Sequence, residues 1–130
     1  MFEQKRLEYE FVEFFGVLPK EDEYSGVTYY EVSRNGLTLS FVIPFEANTA
    51  EIFIQQEASK SALLTVRFYV LGNINFRKHE RSDILEFQKC ILISSGSPIT
   101  ERNEVFDSLM FPNKVDLELS INPEISLRFF

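Results

Sequence analysis

The pair Asn35-Gly36 stands between two runs that alternate apolar with polar residues, one over residues 27 to 34 and the other over 37 to 45. Both residues tolerate the positive backbone angles of a two-residue type I′ turn, whose twist matches that of two antiparallel strands. The turn sets the register. Arg34 pairs with Leu37, Val32 faces Leu39 and Tyr30 faces Phe41 on one side of the sheet, while Tyr29 faces Val42 on the other. Leu37, Leu39, Phe41, Ile43 and Phe45 then form one wholly apolar face, which has to be buried against another element. Pro44 has no amide hydrogen, so this end of the strand is expected at an edge or where pairing stops.

A partner for that face lies just upstream. Leu7, Phe11, Phe14, Phe15 and Leu18 recur at helical spacing and predict an amphipathic helix from about Glu3 to Phe15. Gly16 and Pro19 end it, and Leu18 is expected to pack back under the last turn. Lys5, Arg6, Tyr9, Val12 and Glu13 fall on the opposite side, which sets an aromatic and a branched aliphatic residue toward water among charges. The acidic stretch Glu21-Asp22-Glu23 and a Ser25-Gly26 turn lead into the hairpin.

Further strands are expected at about 51 to 57, 62 to 71 and 84 to 93, with Leu64, Val66, Phe68 and Val70 forming a core face in the second. In the third, Leu85 and Phe87 share one parity while Cys90 and Leu92 share the other. That implies either a bulge near Lys89 or burial on both faces. Residues 94 to 98 read as a loop and residues 100 to 110 as a short helix. Val115, Leu117, Leu119 and Ile121 alternate with polar residues, and Asn122-Pro123-Glu124 turns the chain into a last strand carrying Ile125, Leu127 and Phe129. A three-residue turn places Glu118 opposite Arg128. The expected fold is α+β, a twisted antiparallel sheet of about seven strands with the N-terminal helix on one face. A β-sandwich or barrel with a capping helix is the alternative. Residues 1 to 130 are read as one domain.

Side chains that do chemistry are scarce. The chain has 14 Phe, one His, one Cys and no Trp. It shows no phosphate loop, dinucleotide fingerprint, zinc spacing or calcium loop, so no metal and no cofactor is expected. The single histidine, His79, lies in the charged run Arg77-Lys78-His79-Glu80-Arg81, which reads as a solvated hairpin tip. Cys90 sits within a strand pattern, where a small apolar residue belongs, and it has no disulfide partner in the chain. Asp83, Glu86 and Gln88 echo the acid-acid-amide set of some metal-dependent nucleases, but their spacing fits polar positions on the outside of a strand.

The formal net charge is −7, and residues 1 to 31 hold eight of the 20 acids but three of the 13 bases. Nucleic-acid binding needs clustered Lys and Arg, so a nucleic-acid partner is not expected. The start of the sequence lacks a secretory pattern and no stretch has the length of a membrane span. A cytoplasmic protein without membrane contact is therefore expected. Anchoring apolar groups beside steering acids characterise protein interfaces. The sequence thus points to a small noncatalytic protein-binding module, of the immunity-inhibitor or adaptor kind. Its acidic surface of Glu8, Tyr9, Val12, Glu13, Glu21, Asp22 and Glu23 would engage a basic partner. Two rival readings are a carrier of an apolar ligand in a Phe-lined cavity and a divalent-metal carboxylate enzyme. Homo-oligomer formation through the 125–130 strand is compatible with the pattern.

Overall fold

The computed structural model describes residues 4–24, 26–43, 48–59, 61–78, 82–93 and 114–130. Among the described residues one helix, α1 (Gln4–Phe15), precedes nine strands: β1 (Lys20–Glu21), β2 (Thr28–Arg34), β3 (Leu37–Ile43), β4 (Thr49–Gln56), β5 (Ala62–Val70), β6 (Ile74–Lys78), β7 (Asp83–Ile93), β8 (Val115–Ser120) and β9 (Ser126–Phe129). All ladders are antiparallel, in the order β1-β2-β3-β4-β5-β7-β8-β9, with β6 attached to β7. β1 and β9 end the order without pairing to each other, so among the described residues the sheet is open rather than a closed barrel. The α+β class holds, but the count of seven strands was too low.

The first hairpin pairs as its turn dictates. Arg34 lies opposite Leu37, Val32 opposite Leu39, Tyr30 opposite Phe41 and Tyr29 opposite Val42. Asn35 and Gly36 take φ of 52° and 81°, the positive pair that a type I′ turn requires. Leu39 and Phe41 are fully buried, whereas Leu37 and Ile43 are half-buried. Pro44 and Phe45, His79, and the segments read as a loop and a late helix lie outside the described residues.

α1 covers this face. The Phe11 ring lies 5.7 Å from Tyr30 and 5.1 Å from Phe41, and Phe15 stacks on both Tyr30 and Phe41. Phe11 and Phe14 also meet Phe76 of β6 edge-on, at 5.5 and 6.2 Å, so the sheet bends around the helix and touches it from two sides. Phe41 and Phe68 reach Phe87 of β7 at 5.7 and 5.0 Å, which joins the two halves of the sheet in one aromatic core. Two apolar residues of the N-terminal segment differ from the sequence expectation. Leu18 is 75% exposed rather than tucked under the helix, because the chain leaves α1 at Gly16 and runs outward to β1. Val12 is half-buried against the core rather than facing water.

β7 makes the bend. Its second half, residues 90–93, pairs with β5, and its first half, residues 83–87, takes β6 on the same edge in place of β5. Between them the β8 register shifts, and Lys89 adopts a φ of 53°. This is a bulge at the expected place, and it returns Cys90 to the core after Phe87. Burial on both faces also occurs. Ile91 and Ile93 are buried on the parity opposite Cys90, while Leu92, expected inside, is 48% exposed. Leu64 is likewise 38% exposed, because the β5–β7 ladder covers only Arg67 to Val70.

Burial pushes the Cys90 thiol up to about 12, with the nearby Asp116 charge adding to the effect. Tyr30 is likewise pushed up to about 12 by burial and then by Glu8. Both groups are held neutral by folding, so their contribution to stability is complete below the unfolded values, 9.0 for the thiol and 10.0 for the phenol. It is lost as pH rises through about 12. The urea midpoint is therefore expected to hold steady from pH 7 to 8.5 and to fall from pH 9 upward. Tyr30→Phe should flatten the part of the fall that begins near pH 10. A midpoint that does not change between pH 8 and 11 would contradict the burial of these two groups.

Candidate functional site

The helix carries acids on more than one flank. Glu8 lies on the side of β2, near enough for its charge to raise the Tyr30 phenol. Val12 follows it by one turn and packs inward, so it contributes to the core rather than to an exposed patch. Tyr9 is 71% exposed and Glu13 is also exposed. This matches the outward direction read from the helical spacing.

Glu21 belongs to β1, opposite Thr28 on β2, at one end of the sheet. Lys20 beside it reaches Glu31 of β2 at 3.5 Å. Asp22 is exposed but structurally engaged. Its carboxylate accepts from the Tyr24 amide at 2.8 Å, its backbone amide donates to Val27 at 3.0 Å, and its carbonyl accepts from Gly26 at 2.8 Å. Such an Asx turn accounts for an acid at this position. Glu23 and Tyr24 stand exposed at its tip. The expected acidic residues thus occupy the helix and the β1 turn, both of which flank β2.

The other flank of α1 holds a feature that the sequence reading did not assemble. Glu10, Glu13 and Phe14 line an open cleft of about 150 Å³, closed on its far side by Phe76, Arg77 and Lys78 of β6 and by Asp83 of β7. Phe14 is buried and Phe76 half-buried, so two rings form an apolar floor beneath charged rims. Arg77 is not a free cation. Its guanidinium is paired with Glu118 of β8 and lies 3.3 Å from Glu86 of β7. Glu86 and Glu118 face each other in register, so Arg77 screens two carboxylates that would otherwise repel. Glu86 also accepts from Asn75 and Gln88, each at 3.1 Å. Lys78 lies opposite Asp83, and both are exposed.

This arrangement corrects two smaller expectations. Arg77 is a paired strand residue rather than part of a freely solvated tip. Glu118 does lie opposite Arg128, but its carboxylate pairs with Arg77, while Arg128 rests over the Phe130 ring at 5.2 Å. Glu86 and Gln88, two of the three residues that echoed a nuclease, are hydrogen-bonded to each other, while Asp83 lies on the cleft rim. Among the described residues no group of three His, Cys, Asp or Glu side chains is arranged to hold a metal ion. The aromatic side chains that a ligand chamber would expose pack instead against one another, with Phe11, Phe15, Tyr30, Phe41, Phe68 and Phe87 almost fully buried. Among the described residues no helix is long and apolar enough to cross a membrane.

No protein-family model matches the chain, and no curated protein sequence matches it. Among solved structures, a chain of the contact-dependent growth inhibition toxin–immunity protein complex from Klebsiella pneumoniae 342 has a similar fold. The TM-score is 0.63 at 14% identity, over 95% of this chain and 91% of that chain. At such low identity the likeness speaks for the fold.

Proposed function

We propose that this chain is a noncatalytic protein-binding module of the immunity type, which masks a basic protein partner with its acidic N-terminal surface. The observation that carries the reading is the fold shared, nearly end to end, with a chain from a toxin–immunity protein complex. The charge distribution supports it independently. Glu8, Glu13, Glu21 and Glu23 are exposed around β2 and the outer side of α1, with Tyr9 as an exposed aromatic among them. Exposed carboxylates accelerate encounter with a positive partner, and an aromatic side chain supplies contact area once the two have docked. Val12 supports the surface from beneath, and Asp22 shapes the turn that presents Glu21 and Glu23.

The test is recovery of the partner with the tagged chain from its native cells, followed by titration calorimetry on the purified pair. The expected partner is a basic protein whose activity is lost at one equivalent of this chain. Tyr9→Ala combined with Glu13→Lys, both at exposed positions, should weaken the complex by roughly 10- to 100-fold, the worth of one aromatic anchor and one reversed charge. Recovery of an acidic partner, or wild-type affinity in the folded double variant, would remove the proposal.

A further inference from the structure

Resting on that reading, we infer that the cleft between α1 and the β6–β7 hairpin is a socket for a single arginine side chain of the basic partner. Size comes first. Sites for small molecules commonly enclose about 300 to 1,000 Å³, whereas this cleft measures about 150 Å³, room for one long side chain and not for a typical metabolite.

Chemistry narrows the occupant further. Phe14 and Phe76 give the floor two aromatic surfaces, against which a guanidinium lies flat more readily than a hydrated ammonium does. Glu10, Glu13 and Asp83 supply carboxylates at the rim. Of the two cations that also line it, Arg77 is already matched by Glu86 and Glu118. Glu10 is itself engaged by an interaction of its own, so Lys78 stands against Glu13 and Asp83, and the rim is net negative without counting Glu10. A planar cation with several donors, able to use carboxylates on α1 and on β7 together, complements this arrangement. Glu13 is shared with the outer face of the helix, so the socket is continuous with the surface proposed to meet the partner.

Lys78 gives the inference a sign of its own. It lies opposite Asp83 and competes with the incoming arginine for that carboxylate. Removing Asp83 should therefore weaken binding, and removing Lys78 should strengthen it. Both residues are exposed, and neither belongs to the surface tested by the Tyr9 and Glu13 variant.

The probe is N-acetyl-arginine methylamide, titrated into the intact chain with backbone amide shifts as readout and the isosteric citrulline derivative as the neutral control. Shifts are expected at residues 10–14, 76–78 and 83 with the arginine probe alone. Affinity should fall roughly two- to fivefold in Asp83→Asn and rise by a similar factor in Lys78→Gln. The same signs should appear in the dissociation constant of the natural complex. Equal shifts with citrulline, or no change in either variant, would overturn the socket. If the partner's affinity responds to Tyr9 and Glu13 but not to Asp83 or Lys78, the socket fails while the binding-module reading stands. Arginine-selective shifts in a chain that recovers no basic partner would uphold the socket and sink that reading.

Discussion

Phe41→Ala is expected to destabilise the protein by about 3–5 kcal/mol, the usual cost of emptying the site of a buried phenylalanine. The ring is fully buried and lies 5.1 Å from Phe11, 5.6 Å from Phe15, 6.4 Å from Tyr30 and 5.7 Å from Phe87. It therefore bridges the helix, the first hairpin and the far half of the sheet at once. Collapse of the helix onto the vacancy would carry Phe11 away from Phe76, and collapse of β7 would disturb the bulge, so neither side closes the gap cheaply. A small domain holds about 5–15 kcal/mol in total, so the variant should lose roughly a fifth or more of its stability. Phe129→Ala, at a ring 45% exposed near the end of β9, should cost about 1 kcal/mol or less and serves as the control. Urea unfolding of both variants measures the difference. Equal losses would mean that the aromatic core is not built around Phe41.

The parts of this fold that were legible in the sequence are those governed by local rules. Asn35-Gly36 allows few turn geometries, and each fixes a register, so the pairings of the first hairpin followed without knowledge of the rest. Steps of three and four among Leu7, Phe11, Phe14 and Phe15 specified the helix and its inward stripe. The change of parity between Phe87 and Cys90 signalled either a bulge or burial on both faces, and both occur. β6 escaped because Ile74-Asn75-Phe76-Arg77-Lys78 holds only two apolar residues before its charges. It becomes a strand through ladder bonds to β7 and through Phe76 packing on Phe11 and Phe14. β1, two residues long, carries no pattern at all. Leu18, Leu64 and Leu92 show a further limit: parity says which way a side chain points, whereas burial depends on whether a neighbouring element extends far enough to cover it.

The candidate surface divides along the same line. Tyr9 and Glu13 were read correctly as outward, because helical geometry alone decides that. Val12 was not, since it sits at the margin of the apolar stripe, where the extent of the facing sheet decides its burial. The cleft could not be assembled from sequence, because Asp83 and Lys78 approach Glu10 and Glu13 only through the β6–β7 hairpin. One local signal was present. Glu10 precedes Phe14 by four residues, which places an acid directly beside a core aromatic on one flank of the helix.

Gly72→Ala tests the junction on which that cleft depends, and two effects of opposite sign meet there. Replacing glycine at a permissive site usually stabilises a protein by about 0.4–1 kcal/mol, because the unfolded chain loses freedom. Gly72 does not occupy the left-handed region, so the backbone itself would accept alanine. Space would not. A Cβ at this position would lie 2.7 Å from the Gln88 carbonyl oxygen and 3.0 Å from its carbonyl carbon, and these backbone atoms are fixed by ladder bonds. Leu71 donates to Lys89 at 3.0 Å, Gly72 donates to Gln88 at 2.9 Å, and Gln88 donates back to Asn73 at 2.9 Å. On the other edge of β7 the Lys89 amide is held by the Asp116 carboxylate at 2.9 Å, so the bulge cannot move away without losing that bond. Overpacking of this kind costs roughly 1–3 kcal/mol and outweighs the entropic gain. The expected result is a lower urea midpoint, with faster hydrogen exchange at Ile74 to Lys78 than elsewhere in the sheet, because β6 is the strand that hangs from this junction. Wild-type or higher stability in Gly72→Ala would show that β7 yields at its bulge, and that the bend holding β6 against the helix is softer than its hydrogen bonds imply.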